Sequence, residues 1–174
     1  NKKKNRLDIE LLELQDKIIS ILDKMEEKIP NSTIPIQSED LHYQIARIYG
    51  DLGDKKSMKN ILTELINREN PKPLNKVEYA NTFFRDLNDT KTAIKILEEL
   101  KSDYTHKELI ALNRGFENNN FKKRDWNRWK KAYPEIISSL IFIYRENNQL
   151  SEAELLLSEW IQRNPTDNNA IKIL

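Results

Sequence analysis

Two passages of this chain that begin 35 residues apart read almost alike: Ile48 to Leu65 (IYGDLGDKKSMKNILTEL) and Phe83 to Leu100 (FFRDLNDTKTAIKILEEL). Aligned without gaps, they share Asp51/Asp86, Leu52/Leu87, Asp54/Asp89, Lys56/Lys91, Ile61/Ile96, Leu62/Leu97, Glu64/Glu99 and Leu65/Leu100, eight identities in eighteen positions. Composition alone gives roughly one or two. A repeat of this period is the signature of helix pairs that cannot bury their apolar faces alone and do so by stacking on their neighbours. The chain is therefore expected to form a stacked helical array, an architecture that offers surfaces to partners more often than it performs chemistry.

Within the first copy, Ser38 with Glu39 and Asp40 suits a helix start, and Leu41, Ile45, Ile48 and Leu52 lie along one side as far as a turn at Gly53-Asp54. A second helix carries Met58, Ile61, Leu62, Leu65 and Ile66 on one face and closes at Asn70-Pro71. The second copy runs from about Asn75 to Leu87, turns at Asn88-Asp89 and resumes from Lys91 to about Tyr104. Asn88 stands where Gly53 stood, and asparagine is the next-best residue for a left-handed backbone. Placing Tyr144 on Tyr49 and Phe84 finds a third copy: a first helix from Pro134 to Leu150, a turn at Asn147-Asn148, a second helix from Ser151 to Arg163 and a stop at Asn164-Pro165. Its offset of 60 residues implies an insertion of 25 after the second copy. That insertion, His106 to Tyr133, reads as a degenerate pair: a helix from Lys107 to Phe116, a polar break at Asn118-Asn119-Asn120 and an aromatic helix from Lys122 to Tyr133.

Ahead of the copies, Leu7, Leu11, Leu14, Ile18, Ile21, Met25 and Ile29 form the stripe of an amphipathic helix of about six turns. Pro30 ends it, and Pro30 to Pro35 (PNSTIP) reads as a connector. The expected fold is all-α: a right-handed α-solenoid of three to four helix pairs with a long N-terminal packing helix, forming one domain over residues 1–174. Its parts are the N-terminal helix (1–30), repeat 1 (38–71), repeat 2 (74–105), the inserted pair (106–133), repeat 3 (134–165) and the start of a capping helix (166–174).

Composition narrows the function classes. With 29 basic and 28 acidic residues the chain carries a formal charge of +1, so no global field draws it to nucleic acid or anionic lipid, and any basic effect is local. The absence of cysteine excludes disulfides, a thiolate nucleophile and zinc–thiolate sites. No apolar stretch approaches the roughly 20 residues that span a bilayer. Because the sequence opens on Asn1 and stops within a helical pattern, it is expected to be a soluble piece of a larger protein; its compartment stays open, with an anchor upstream of Asn1 as one option. Lys2, Lys3, Lys4 and Arg6 then read as a solvated linker or a membrane-proximal flank.

The copies resemble tetratricopeptide repeats, which pair a small residue and an aromatic in the first helix with Ala in the second and Pro after it. Tyr144, Ala153, Leu157, Trp160 and Pro165 carry the resemblance in copy 3; Phe84, Ala93, Leu97 and Leu100 in copy 2; Ala46, Tyr49, Gly53, Leu62 and Leu65 in copy 1. Copy 1 departs by placing Met58 where Ala is usual, which suggests looser or shifted packing there. A narrower resemblance, on Met25-Glu26-Glu27-Lys28-Ile29-Pro30, Ile34-Pro35-Ile36 and Tyr133-Pro134-Glu135-Ile136, is to the soluble C-terminal region of bacterial membrane glycosyltransferases of the protein O-mannosyltransferase-like family. The first resemblance implies a non-catalytic module for protein–protein or interdomain binding; the second implies an accessory domain that positions acceptor or stabilises the assembly. In tetratricopeptide arrays the first helices line an inner groove, which by resemblance makes Tyr43, Arg47, Glu78, Thr82, Arg85, Phe142 and Arg145 the exposed partner-binding candidates. The basic clamp of chaperone-tail-binding members is not reproduced, because Tyr43, Arg47 and Glu135 occupy its positions.

No catalytic residue, cofactor or metal ligand is expected. His42 and His106 are the only histidines and have no ligand spacing, and no phosphate-binding loop or Ser-His-Asp grouping is present. Glu26-Glu27 and Glu98-Glu99 read as solvated faces, and Asp51/Asp54 and Asp86/Asp89 as turn residues rather than calcium ligands. The segment Phe121 to Tyr133 (FKKRDWNRWKKAY) interleaves six basic residues with four aromatics, a composition shared with membrane-surface and nucleic-acid segments. Trp126, Trp129 and Tyr133 fall on one side of a helix with Lys122, Lys123, Arg128 and Lys131 mostly elsewhere, so the geometry favours a core stripe with a solvated back. Partners are expected to be protein, peptide or another domain of the same chain, ahead of nucleic acid.

Overall fold

In a computed structural model, the structure describes residues 35–68, 72–114 and 123–164, with Glu13, Lys17, Ser20, Ile21 and Lys24 of the leading segment. The described residues form α1 (Pro35–Asp51), α2 (Lys55–Asn67), α3 (Pro73–Arg85), α4 (Thr90–Arg114), α5 (Lys123–Glu146) and α6 (Leu150–Arg163), with no strand among them. The all-α expectation holds for these residues. The chain divides into two compact units, Asn1–Glu69, which contains α1 and α2, and Asn70–Leu174, which contains α3 to α6.

Three short turns generate the helix pairs, and each is built on a left-handed residue: Gly53 at φ +84°, Asn88 at +55° and Asn148 at +57°. These are the only positive-φ positions among the described residues, and they are spaced by the 35 and 60 residues that separate the copies. A left-handed residue after a helix lets the next amides turn back onto its last carbonyls. In the first and third turns the pattern is identical: Asp54 N–H donates to the Tyr49 carbonyl (2.9 Å) and Gly53 N–H to Gly50 (2.9 Å), as Gln149 N–H does to Tyr144 (2.8 Å) and Asn148 N–H to Arg145 (3.1 Å). The second turn is one residue looser, with Asp89 N–H donating to the Phe83 carbonyl at 2.8 Å. Asp54 then caps α2 by accepting from the Ser57 amide (3.0 Å) and hydroxyl (2.8 Å), and Asp89 accepts from the Thr92 amide (3.1 Å). Those bonds, with the backbone amide first, hold the Asp54 carboxyl below its ordinary range. Gln149 makes no side-chain cap.

The second helix of every pair buries the same four positions: Met58, Ile61, Leu62 and Leu65 in α2; Ala93, Ile96, Leu97 and Leu100 in α4; Ala153, Leu156, Leu157 and Trp160 in α6. The first helices bury His42, Val77 and Ile137 at one equivalent position and Ile45, Ala80 and Leu140 at the next. Copy 1 is not loosely packed at its odd residue. Met58 is 2 % exposed, and a Cβ on Gly50 would lie 2.7 Å from its sulfur. Positions 50 and 58 are therefore complementary: Gly faces Met in copy 1, whereas the equivalents pair Arg85 with Ala93 and Arg145 with Ala153.

Inside the second unit, cross-helix contacts fix direction. Asn81 donates to the Ser139 hydroxyl (3.2 Å) and Phe84 meets Phe142 (centroids 5.8 Å), so α3 and α5 run parallel. Lys101–Glu159 (3.5 Å) and Glu108–Arg163 (3.2 Å) make α4 and α6 parallel, while Tyr144–Glu98 and Tyr104–Tyr133 make α4 and α5 antiparallel.

The insertion departs from expectation. It forms no separate degenerate pair: repeat 2's second helix and the expected Lys107–Phe116 helix are one helix, α4, and the expected Lys122–Tyr133 helix and repeat 3's first helix are one helix, α5. Nothing between Leu100 and Lys107 is a Gly or Pro, and Tyr104 is buried there, so α4 has cause to continue. Pro134 lies inside α5 at an exposed position, where water can serve the carbonyl its missing N–H leaves free, and buried Ala132, Tyr133, Ile136 and Ile137 hold the helix on both sides. Likewise α1 starts at Pro35 rather than Ser38, because proline is preorganised for a first helical turn. The residues seen of the leading helix, Glu13, Lys17, Ser20, Ile21 and Lys24, are helical and exposed, including Ile21 of the expected apolar stripe at 56 %. The polar break at 118–120 and the capping segment at 166–174 lie outside the described residues.

A helix-interior Gly→Ala exchange is worth about 1 kcal/mol where there is room. Gly50→Ala is expected to stabilise by about that amount in a Met58→Ala background and to lose most of it in the native one, where Met58 must move. A double-mutant cycle by urea unfolding reads the coupling; strict additivity would refute the complementary packing. Asp54→Ala is expected to cost about 1 kcal/mol in the same assay, and Gln149→Ala close to nothing.

Candidate functional site

The seven candidate positions divide between the units: Tyr43 and Arg47 lie on α1 in the first, and the other five on α3 and α5 in the second. Two are corrected by the structure. Tyr43 (7 % exposed) and Thr82 (5 %) are buried, the Thr82 hydroxyl donating to the Glu78 carbonyl at 3.0 Å, so neither is an exposed contact residue. Arg47, Glu78, Arg85, Phe142 and Arg145 are exposed as expected.

Three of the exposed five, Arg85, Phe142 and Arg145, lie along the seam between the parallel helices α3 and α5. Asn81 and Ser139 tie the seam by their hydrogen bond, and one turn further Phe84 meets the edge of Phe142 at an interplanar angle of 87°. Phe142 is still 43 % exposed, an uncommon exposure for a residue in the middle of a packed seam. The Arg85 guanidinium lies 5.8 Å from the Phe142 centroid, a cation–π contact that braces the arginine without consuming its fork. Arg145 follows Phe142 on the same side of α5, and it is the repeat equivalent of Arg85. Among the described residues neither arginine forms an ion pair, unlike Arg68, Arg128 and Arg163. The sequence did not point to Asn81, Phe84 or Ser139 as parts of this site, because only the α3–α5 register brings them beside the candidates.

Chemistry has few other footholds. His42 is buried with both ring nitrogens 3.2–3.3 Å from an Arg68 guanidinium nitrogen, and His106 is exposed. Among the described residues no three His, Asp or Glu side chains cluster closely enough to hold a metal ion, and no helix is long and apolar enough to cross a membrane. Glu98 is not the simple solvated residue expected: it accepts from the Tyr144 hydroxyl at 2.8 Å beside an open hollow of about 130 Å³, which Lys101, Glu152, Leu155 and Glu159 also line. Burial, reinforced by the Glu98 charge, pushes the Tyr144 phenol well above its ordinary value; burial and then Glu108 push Tyr104 up to about 12. No protein-family model, curated protein or solved structure matches the chain.

Both phenols favour their neutral form in the folded state, so the stability they confer is complete below the unfolded value of about 10 and falls as pH rises through the folded values. Tyr144→Phe is expected to cost about 1–2 kcal/mol at pH 7 and to make the loss of stability between pH 9.5 and 11.5 shallower than in the native chain. Denaturant unfolding at a series of pH values checks this; an unchanged alkaline slope would show that folding does not raise the Tyr144 phenol.

Proposed function

We propose that this chain is a non-catalytic, tetratricopeptide-like helical-repeat module in which helix pairs stack as a right-handed solenoid and the first helices bind a protein or peptide segment. The solenoid reading is supported by the recurring left-handed turns and by the parallel run of like helices, α3 with α5 and α4 with α6. The observation that carries the binding reading is the α3–α5 seam: an exposed Phe142 ring flanked by Arg85 and Arg145, neither with an acidic partner among the described residues. A planar aromatic surface gains from covering by an apolar side chain, and an exposed guanidinium fork pairs with a carboxylate. The segment that fits both is an extended peptide with an acidic group next to a large apolar residue, contributed by another protein or another part of the same chain. No reaction is assigned to it.

Selection from a displayed random-peptide library tests this. The native chain is expected to enrich peptides that place Asp, Glu or a terminal carboxylate beside an aromatic or aliphatic residue. Arg85→Glu/Arg145→Glu and Phe142→Ala are each expected to weaken the selected peptides at least tenfold, by titration, with the helical circular dichroism unchanged. Absence of enrichment, or affinities indifferent to these three residues, would refute the reading.

A further inference from the structure

A second surface lies away from the peptide seam, on the arm made where α4 and α5 outrun their partners. Its inner side is closed by rings: Tyr104 stacks on Tyr133 (4.0 Å between centroids) and on Trp126 (5.4 Å), and Lys107 places its ammonium 4.7 Å from the Trp129 centroid. Three contacts within two helical turns fix the rotation of α5 about its axis, and that rotation decides what faces outward. Arg128, Lys130 and Lys131 are all exposed, and among the described residues only Arg128 of the three has an acidic partner, the partly exposed Asp125 at 3.5 Å. The backbone of α5 begins two residues before Asp125 with Lys123 and Arg124. Five basic residues and one acidic one therefore occupy 123–131, in a chain whose charges otherwise nearly cancel.

We infer that this arm docks on an anionic lipid surface. The exposed Arg128, Lys130 and Lys131 supply the charge complementarity, at about 1 kcal/mol for each Lys or Arg that reaches a negatively charged bilayer. The ring contacts favour lipid over a nucleic-acid strand. A single strand binds by stacking its bases on aromatic faces, and here Tyr104 covers one face of Trp126 and Lys107 one face of Trp129. Trp126 and Trp129 are only half-buried, and Leu109 on the same arm of α4 is 53 % exposed. Half-exposed indoles and an exposed aliphatic side chain on the same arm as exposed lysines suit the boundary between headgroups and acyl chains, where lysine stems cover apolar surface while their ammonium groups reach phosphate.

Co-sedimentation of the 174-residue chain with vesicles tests this, using phosphatidylcholine alone and phosphatidylcholine with about a third phosphatidylserine, alongside a short single-stranded RNA and a polyglutamate peptide as competitors. The expected result is pelleting with the anionic vesicles only, lost at 0.5 M salt, with a blue shift of tryptophan emission from Trp126 and Trp129, since Trp160 is already buried. Arg128→Glu/Lys130→Glu/Lys131→Glu is expected to reduce pelleting at least tenfold with helicity retained. Trp129→Ala, which leaves those charges, is expected to remove part of the shift. Equal binding to both vesicle types, no binding to either, pelleting unaffected by the triple charge reversal, or release of the chain from vesicles by RNA or polyglutamate at matched charge would each overturn the inference. None of these readouts involves Arg85, Phe142 or Arg145.

Discussion

A chain reversal at a left-handed residue is the constraint from which the rest of this structure follows. Gly53, Asn88 and Asn148 each close a first helix and aim the next amides back at its last carbonyls, so the following helix leaves antiparallel and its first apolar residue meets the helix just ended. Most side chains pay a steric penalty in that backbone region, which glycine avoids and asparagine tolerates. With the reversal fixed, the four apolar positions of each second helix have one face on which to bury, and they do so in the same order three times. What differs among copies is accommodated locally, as where Gly50 vacates the space that Met58 fills.

Much of this was legible in the sequence because it is local or periodic. The left-handed turns, the identity of Asn88 as a glycine substitute, the second-helix core and the 60-residue offset of the third copy all rest on turn chemistry and spacing, which the chain carries without reference to its neighbours. The continuity of α4 and α5 was not legible. Pro134 is a helix breaker by propensity, and only the buried residues on either side of it, together with its exposed position, make the uninterrupted helix acceptable. The degenerate pair expected in the insertion was for the same reason two extensions of existing helices.

The candidate face shows the same division. Arg85, Phe142 and Arg145 were placed on an exposed wall by their positions in the repeat, and they are exposed. Tyr43 and Thr82 were placed there by the same rule and are buried, because exposure depends on what packs against a position as well as on its place along a helix. Asn81 and Ser139 had no signal in the sequence, and Phe84 was legible only as a repeat aromatic, since their role at the seam arises from the register of two helices 58 residues apart. The aromatic stripe of Trp126, Trp129 and Tyr133 was read as packing surface and does pack, on Tyr104 and Lys107, which leaves its basic back outward.

Like helices of the second and third pairs run parallel, and the cysteine-free sequence allows spin labels to be placed in pairs without background. Labels at Glu78 and Arg85 on α3 and at Glu135 and Phe142 on α5 occupy exposed sites about two turns apart on each helix. Electron–electron double resonance is expected to give 78–135 and 85–142 separations several ångströms shorter than 78–142 and 85–135, as one interhelical step of about 8–10 Å requires for parallel packing. The reverse order of distances would mean antiparallel helices and would contradict the account.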